Sequence, residues 1–264
     1  MKSRLLLTGL LLSGLATGCS SASSPPIPST AAQVEALTKD FDTWYRYTYA
    51  RIQLARAYSP HGVDGRPLAK QAFLQQLATG RVLALRNGTE GQLPVYQLCP
   101  YPGGQDSAIR AASQQLAQEA LRNAAWEGQR LPPFHWTDLK GVTYTSANTR
   151  GKVVVVKCWY TSCVACVDEF AAMDSLVARY RANPQVLVVS LALNQAQPLR
   201  AFLQQRPVQF AVIPASKAYL TDTLGVFEYP THFVLGPGGQ ILHVTNRARD
   251  LAVALANAVP AARR

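Results

Sequence analysis

From residue 131 onward, short apolar runs alternate with segments whose apolar positions recur every three or four residues. The uninterrupted run Val153 to Val156 suits a strand covered on both faces. After it the pattern predicts a helix over 163–181, a strand over 186–193, a helix over 197–205 and a strand over 208–213. A helix over 216–224, a strand over 231–235, a Gly-Pro-Gly-Gly turn at 236–239, a strand over 241–245 and a last helix from about Arg249 complete the series. Just upstream, Phe134 to Leu139 and Val142 to Thr145 flank a Lys140-Gly141 turn and read as a hairpin. Strands separated by helices require parallel crossovers, whereas two runs joined by a tight turn pair antiparallel. The expected fold is therefore α/β, a mixed sheet with helices on both faces.

The first part of the chain has a different texture. Val34, Leu37, Phe41, Trp44, Tyr45, Thr48, Ile52 and Ala55 fall at helical spacing and predict one long amphipathic helix, opened by a capping box at Thr30 and Gln33. The aromatic stripe of Trp44, Tyr45, Tyr47 and Tyr49 reads as core or docking surface and is assigned no chemistry. A turn-rich piece from Ser59 to Pro67 leads to a short helix ending near Gly80. A small hairpin follows, with runs at 81–85 and 95–98 about an Asn87-Gly88 turn, then an Ala- and Gln-rich helix from Gln105 to Glu127 that Gly128 stops. Residues 31–127 thus form a smaller, mainly helical region without a catalytic grouping.

The N-terminus adds an address. Lys2 and Arg4, the apolar run from Leu5 to Leu12 and small residues ending at Cys19 have the three parts of an export signal, too short to span a bilayer. Leu15-Ala16-Thr17-Gly18-Cys19 resembles the lipobox of bacterial lipoproteins, with Ala16 where Leu is favoured. That resemblance implies cleavage before Cys19 and a lipid on its thiol. Residues 1–18 are then a signal peptide and 19–30 a Ser/Pro tether, and the protein sits in the cell envelope, lipid-anchored on the periplasmic side of a bacterial membrane. The formal charge of +11 includes no run of Lys and Arg, so it reads as a solvated basic surface. No nucleic-acid partner is expected for an exported chain.

With Cys19 committed to lipid, Cys99, Cys158, Cys163 and Cys166 remain. A chain of 264 residues builds its own cores, so the close pair Cys163-Val164-Ala165-Cys166 points to redox chemistry and not to stapling. It lies where a buried strand passes into a helix. Free N–H groups at a helix start stabilise a thiolate, which makes Cys163 the attacker, and two intervening residues bring Cys166 within one turn as the resolver. Zinc normally takes four ligands, and His61, His135, His232 and His243 are scattered, so neither a metal nor any other cofactor is expected. The peroxiredoxin pattern Pro-x-x-x-Thr-x-x-Cys is absent as well.

Further residues carry a resemblance. Gly151-Lys152-Val153-Val154-Val155-Val156 leading to Cys158-Trp159, the CxxC, Glu169 three residues beyond Cys166, and Tyr229-Pro230-Thr231 before the closing hairpin resemble the TlpA/ResA-like branch of the thioredoxin superfamily. Leu131 to Gly141 is similar to that branch's opening hairpin, so residues 128–264 are identified as a thioredoxin-like domain. The resemblance implies a catalytic set of Cys163, Cys166, Pro230 in cis beside Cys163, and Glu169 assisting proton transfer. It also implies substrate contacts from Tyr229, Thr231 and Trp159. Ser162 stands where Trp is common, Ala171 where Pro is common, and Lys157 where thioredoxin has a buried acid. Lys157 either favours a nearby thiolate or turns to the surface, and His232 reads as a plain strand residue. Cys158 reads as a small buried hydrophobe, with a Cys99 to Cys158 disulfide as an alternative.

The function expected is thiol-disulfide exchange with exported protein thiols or disulfides, as reductase or isomerase, fed by a membrane electron donor. The alternative is a non-catalytic thiol module that holds a client or a metal.

Overall fold

The computed structural model describes residues 30–101 and 106–259. The signal, the lipobox with Cys19 and the tether up to residue 29 lie outside the described residues.

A five-stranded sheet organises the second half, in the order β10-β9-β6-β7-β8. Its strands are β6 (Val153–Trp159), β7 (Val186–Ala192), β8 (Ala211–Pro214), β9 (Thr231–Leu235) and β10 (Ile241–Thr245). β6, β7 and β8 run parallel, while β9 is antiparallel to both β6 and β10. β6 is central and buried at every position, which is why its sequence is continuous Val instead of alternating. Side chains of alternate β6 residues enter two cores. Val153, Val155 and Trp159 pack with Phe170, Met173 and Leu176 of α6 (Phe170–Tyr180) and with Leu251 and Leu255 of α8 (Ala248–Ala258). Val154, Val156 and Cys158 pack with Leu131, Trp136, Leu220 and Leu224. Strands β4 (His135–Thr137) and β5 (Thr143–Thr145) form the hairpin expected there.

Two helices expected as single pieces are broken. The segment from Thr30 is α1 (Thr30–Leu37) followed by α2 (Phe41–Arg51), because the Asp40 side chain accepts from Thr43 N at 2.7 Å and starts a new helix. The helix over 163–181 is α5 (Val164–Asp168) and then α6, with the joint at Glu169. The segment 216–224 narrows to a single π turn, Tyr219–Thr223.

The first half holds a sheet larger than the expected hairpin. β2 (Val82–Glu90) and β3 (Leu93–Pro100) pair around Gly91, at φ 59°, while Asn87 and Gly88 fall in a register shift within the ladder. β1 (Ser59–His61), read from sequence as turn, adds parallel to β3. Against this sheet pack α3 (Lys70–Ala78) and the long α4 (Ser107–Trp126), around Phe73, Leu74, Leu77, Leu98 and Ala117. α4 continues onto the second half, where Trp126 meets Phe233 edge to face at 6.2 Å. Further ties lie beside the start of α8: Arg56 Nε donates to the buried Asp250 carboxylate at 2.6 Å, and Asn123 bonds Asn246 at 2.6 Å. Among the described residues no helix is long and apolar enough to cross a membrane.

Candidate redox site

Strand β6 delivers the chain to residues 160–162, and α5 begins at the CxxC. Cys163 is the N-cap of α5 and is disulfide-bonded to Cys166. Its Sγ accepts the Cys166 amide N–H at 3.2 Å. An amide aimed at the sulfur favours negative charge there once the disulfide is opened. Cys163 keeps 6% of its surface exposed and Cys166 none. Val164 and Ala165 between them are exposed, Val164 at 74%.

The Tyr229-Pro230 peptide bond is cis. Pro230 lines the same cleft as Ala165 and Asp168. Asn246 fastens this turn, donating to the Pro230 carbonyl and the Thr231 hydroxyl, each at 2.9 Å. Tyr229 stands beside the CxxC approach, its ring edge against Tyr160 at 5.2 Å, and burial pushes its hydroxyl up to about 12.

Two residues expected at the substrate face have buried side chains. Trp159 is fully buried, its indole N–H donated to Ser190 Oγ at 3.1 Å, because β6 is the central strand. Thr231 is 5% exposed, and its hydroxyl donates to the Glu228 carbonyl at 2.6 Å. Both side chains support the site from beneath.

Behind the disulfide lies a charged cluster. Lys157 and His232 face each other across β6 and β9, and both are fully buried. Lys157 Nζ donates to Glu169 Oε2 at 2.9 Å and lies 3.3 Å from His232 Nε2, which is itself 3.1 Å from the same carboxylate oxygen. The other oxygen of Glu169 accepts the Ala248 amide at 2.7 Å and so caps α8. Burial pushes the Glu169 carboxyl up, but the hydrogen bond and charge of His232 and then of Lys157 outweigh it and hold the group down to about 2. Burial lowers Lys157, against the pull of Glu169, and lowers His232. Glu169, expected from sequence to assist proton transfer, is held between Lys157, His232 and the start of α8. Lys157 does not turn to the surface, and His232 is more than a strand residue. Sequence held no signal for this cluster, because residues 157, 169 and 232 meet only once the β6–β9 register and the α5–α6 joint are set.

Cys99 and Cys158 are free and buried in different cores, so they form no disulfide with each other. Burial pushes Cys158 up to about 12 and Cys99 up to about 11, which leaves both as inert thiols.

Residues 128–244 match the AhpC/TSA family. The thioredoxin-like protein YneN of Bacillus subtilis (strain 168) is 30% identical over 122 residues, which cover 45% of this chain and 71% of YneN. The chain belongs to the TlpA/ResA-like branch of the thioredoxin superfamily. Another relative, the thiol-disulfide oxidoreductase ResA of Bacillus anthracis, is 27% identical over 116 residues, 44% of this chain and 66% of that protein. Among solved structures, a thiol:disulfide interchange protein of Chlorobium tepidum TLS is 20% identical with a TM-score of 0.44, covering 50% of this chain and 97% of that one. As a TlpA/ResA-like protein, the chain is a thiol-disulfide oxidoreductase. The relatives account for the second half of the molecule, and the TlpA/ResA-like part carries the CxxC, the cis-proline and the buried cluster alike.

In this TlpA/ResA-like protein the loop before the cis-proline also meets the first half through carboxyl groups. Glu119 of α4 hydrogen-bonds Glu228, which Arg122 contacts in turn. Burial, then that hydrogen bond and the negative charge of Glu228, push Glu119 up to about 8 from its ordinary 4.5. The folded protein thus holds a proton that the unfolded chain releases, so this contribution is full below about pH 4.5 and lost as pH rises through about 8. The thermal midpoint is expected to fall as pH rises from about 5 to 8. Glu119→Gln should flatten that slope and raise the midpoint at pH 8, which melting curves over this pH range will check; an unchanged slope in the variant would refute it.

Proposed function

We propose that this protein is a membrane-tethered thiol-disulfide oxidoreductase that exchanges disulfides with exported proteins, as reductase or isomerase, with Cys163 attacking and Cys166 resolving. The observation that carries this reading is the Cys163 sulfur, placed at the N-cap of α5 and receiving the Cys166 amide. In the reduced form the Cys163 thiolate attacks a client disulfide, one client sulfur leaves as thiolate, and a mixed disulfide forms. Cys166 then attacks Cys163, releases the second client thiolate and restores the internal disulfide. As a reductase the protein consumes two electrons per turnover, which an electron donor at the membrane resupplies, whereas isomerisation consumes none. Pro230 and Tyr229 shape the client face, and Glu169 positions the α5–α6 joint against α8.

The same reading divides the chain into a signal peptide (1–18), a tether (19–30), an N-terminal region (31–127) and a thioredoxin-like domain (128–264). Cys19 bears the lipid, on the periplasmic side of a bacterial membrane.

The test of activity is turnover of a protein disulfide with dithiothreitol as donor and the protein in catalytic amount. Acceleration well above dithiothreitol alone is expected. No acceleration would favour a thiol module that binds without turnover. For the anchor, Cys19→Ala should move the protein from the membrane fraction to the soluble fraction after cell lysis, and an unchanged distribution would refute lipid attachment at that residue.

A further inference from the structure

A surface helix ordinarily turns polar side chains away from its core. α2 does not. Trp44 and Thr48 bury one face, yet the other presents Phe41, Tyr45 and Tyr49, which are 38%, 49% and 48% exposed. The three rings are spaced at i, i+4, i+8 and stack as a ladder, with centroids 5.9 Å apart at both steps and planes tilted by 20° and 21°. Arg247 and Arg249 close the Tyr49 end, each guanidinium 4.8 Å from the ring centroid and each donating to the Tyr49 carbonyl. These arginines flank Ala248, whose amide holds Glu169. The ladder is thereby fixed to the redox half of the molecule. It forms one wall of a cleft whose other wall is Asp168, Pro230 and Ala165, the last of these lying between the two cysteines in sequence.

We propose that this cleft is the client groove, and that it selects an extended polypeptide segment carrying aromatic or aliphatic side chains beside its reacting cysteine. This rests on the reading above that the clients are proteins, and it names their local sequence character. Continuity with the CxxC fixes the occupant: a polypeptide whose sulfur meets Cys163 lies across Ala165 and Pro230, and its neighbouring residues run against the ladder. The length fits as well. Eight residues of helix rise about 12 Å, the span of roughly four residues of extended chain. Exposed rings of this kind offer large apolar contact at low conformational cost, while Glu119, Glu228 and Arg247 in the same cleft suit polypeptide amides and not an acyl chain.

The experiment uses the full chain with Cys166→Ser, so that adducts persist. Two peptides are offered, each with one cysteine as a mixed disulfide with thionitrobenzoate, one flanked by Leu and Phe and the other by Ser and Gly. The Cys163 thiolate attacks the peptide sulfur, the peptide–thionitrobenzoate S–S bond breaks, and the electron pair leaves on thionitrobenzoate. One coloured anion thus appears for each adduct formed. The apolar peptide is expected to react about tenfold faster than the polar one. With Phe41→Ala and Tyr45→Ala added, the ratio should fall to about one or two. If the double variant loses the parent's thermal transition, Tyr45→Lys alone decides, with a drop of at least about threefold expected. A ratio near one in the parent, or an unchanged ratio in the variants, overturns the client groove and leaves thiol-disulfide exchange standing. Absence of adduct with either peptide overturns both.

Discussion

Cys163→Ser is expected to abolish disulfide exchange, a loss of roughly a thousandfold or more, whereas Cys166→Ser should retain the first chemical step and stall after it. The asymmetry comes from position. Cys163 caps α5, receives the Cys166 amide and keeps 6% of its surface, while Cys166 lies wholly inside the first turn. A buried sulfur cannot meet a client, but it can reach its neighbour across the two-residue spacer. Covalent client adducts that dissolve in reductant should therefore accumulate with Cys166→Ser and be absent with Cys163→Ser. Non-reducing electrophoresis of the purified variants after mixing with a disulfide-bonded protein reads this directly. Adducts formed by the Cys163 variant in place of the Cys166 variant would reverse the assigned roles.

The second large effect is on stability. Glu169→Gln keeps the shape of the side chain and removes the charge that faces the fully buried Lys157 ammonium. Removing one partner of a buried pair typically costs about 3 to 5 kcal/mol, because the remaining ion keeps its desolvation penalty. At about 2–4 °C per kcal/mol for a chain of this size, the thermal midpoint should fall by at least about 6 °C. Adding Lys157→Met removes the stranded cation and should recover much of that loss. The sign of the pH dependence gives a separate check. The folded Glu169 carboxyl titrates near 2, below its ordinary 4.5, so its contribution is present above about pH 4.5 and is lost as pH falls toward 2. In Glu169→Gln that acid-limb component should be missing. A variant that melts and titrates like the parent would show that the cluster contributes nothing to stability.

The α/β class, the mixed sheet, the CxxC at a strand-to-helix passage and the Tyr-Pro-Thr turn were legible in the order of residues, because each depends on local periodicity or on neighbours in sequence. Val153 to Val156 announce a central strand since only a strand covered on both faces is apolar at every position. The break between α1 and α2 was also present, in Asp40, but the apolar spacing ran across it and masked the cap. What the chain order did not disclose depends on register and docking. Lys157, Glu169 and His232 are separated by 12 to 75 residues and become one charged cluster only when β6 pairs β9 and α5 turns into α6 at Glu169. Trp159 looked like a site residue from its place beside the CxxC, and the sheet buried it. The aromatic ladder was visible as a stripe on one helix. Its place beside the disulfide was decided by contacts such as Arg249 with Tyr49, 200 residues apart, which no periodicity encodes because side chains distant in sequence meet only after both halves have packed.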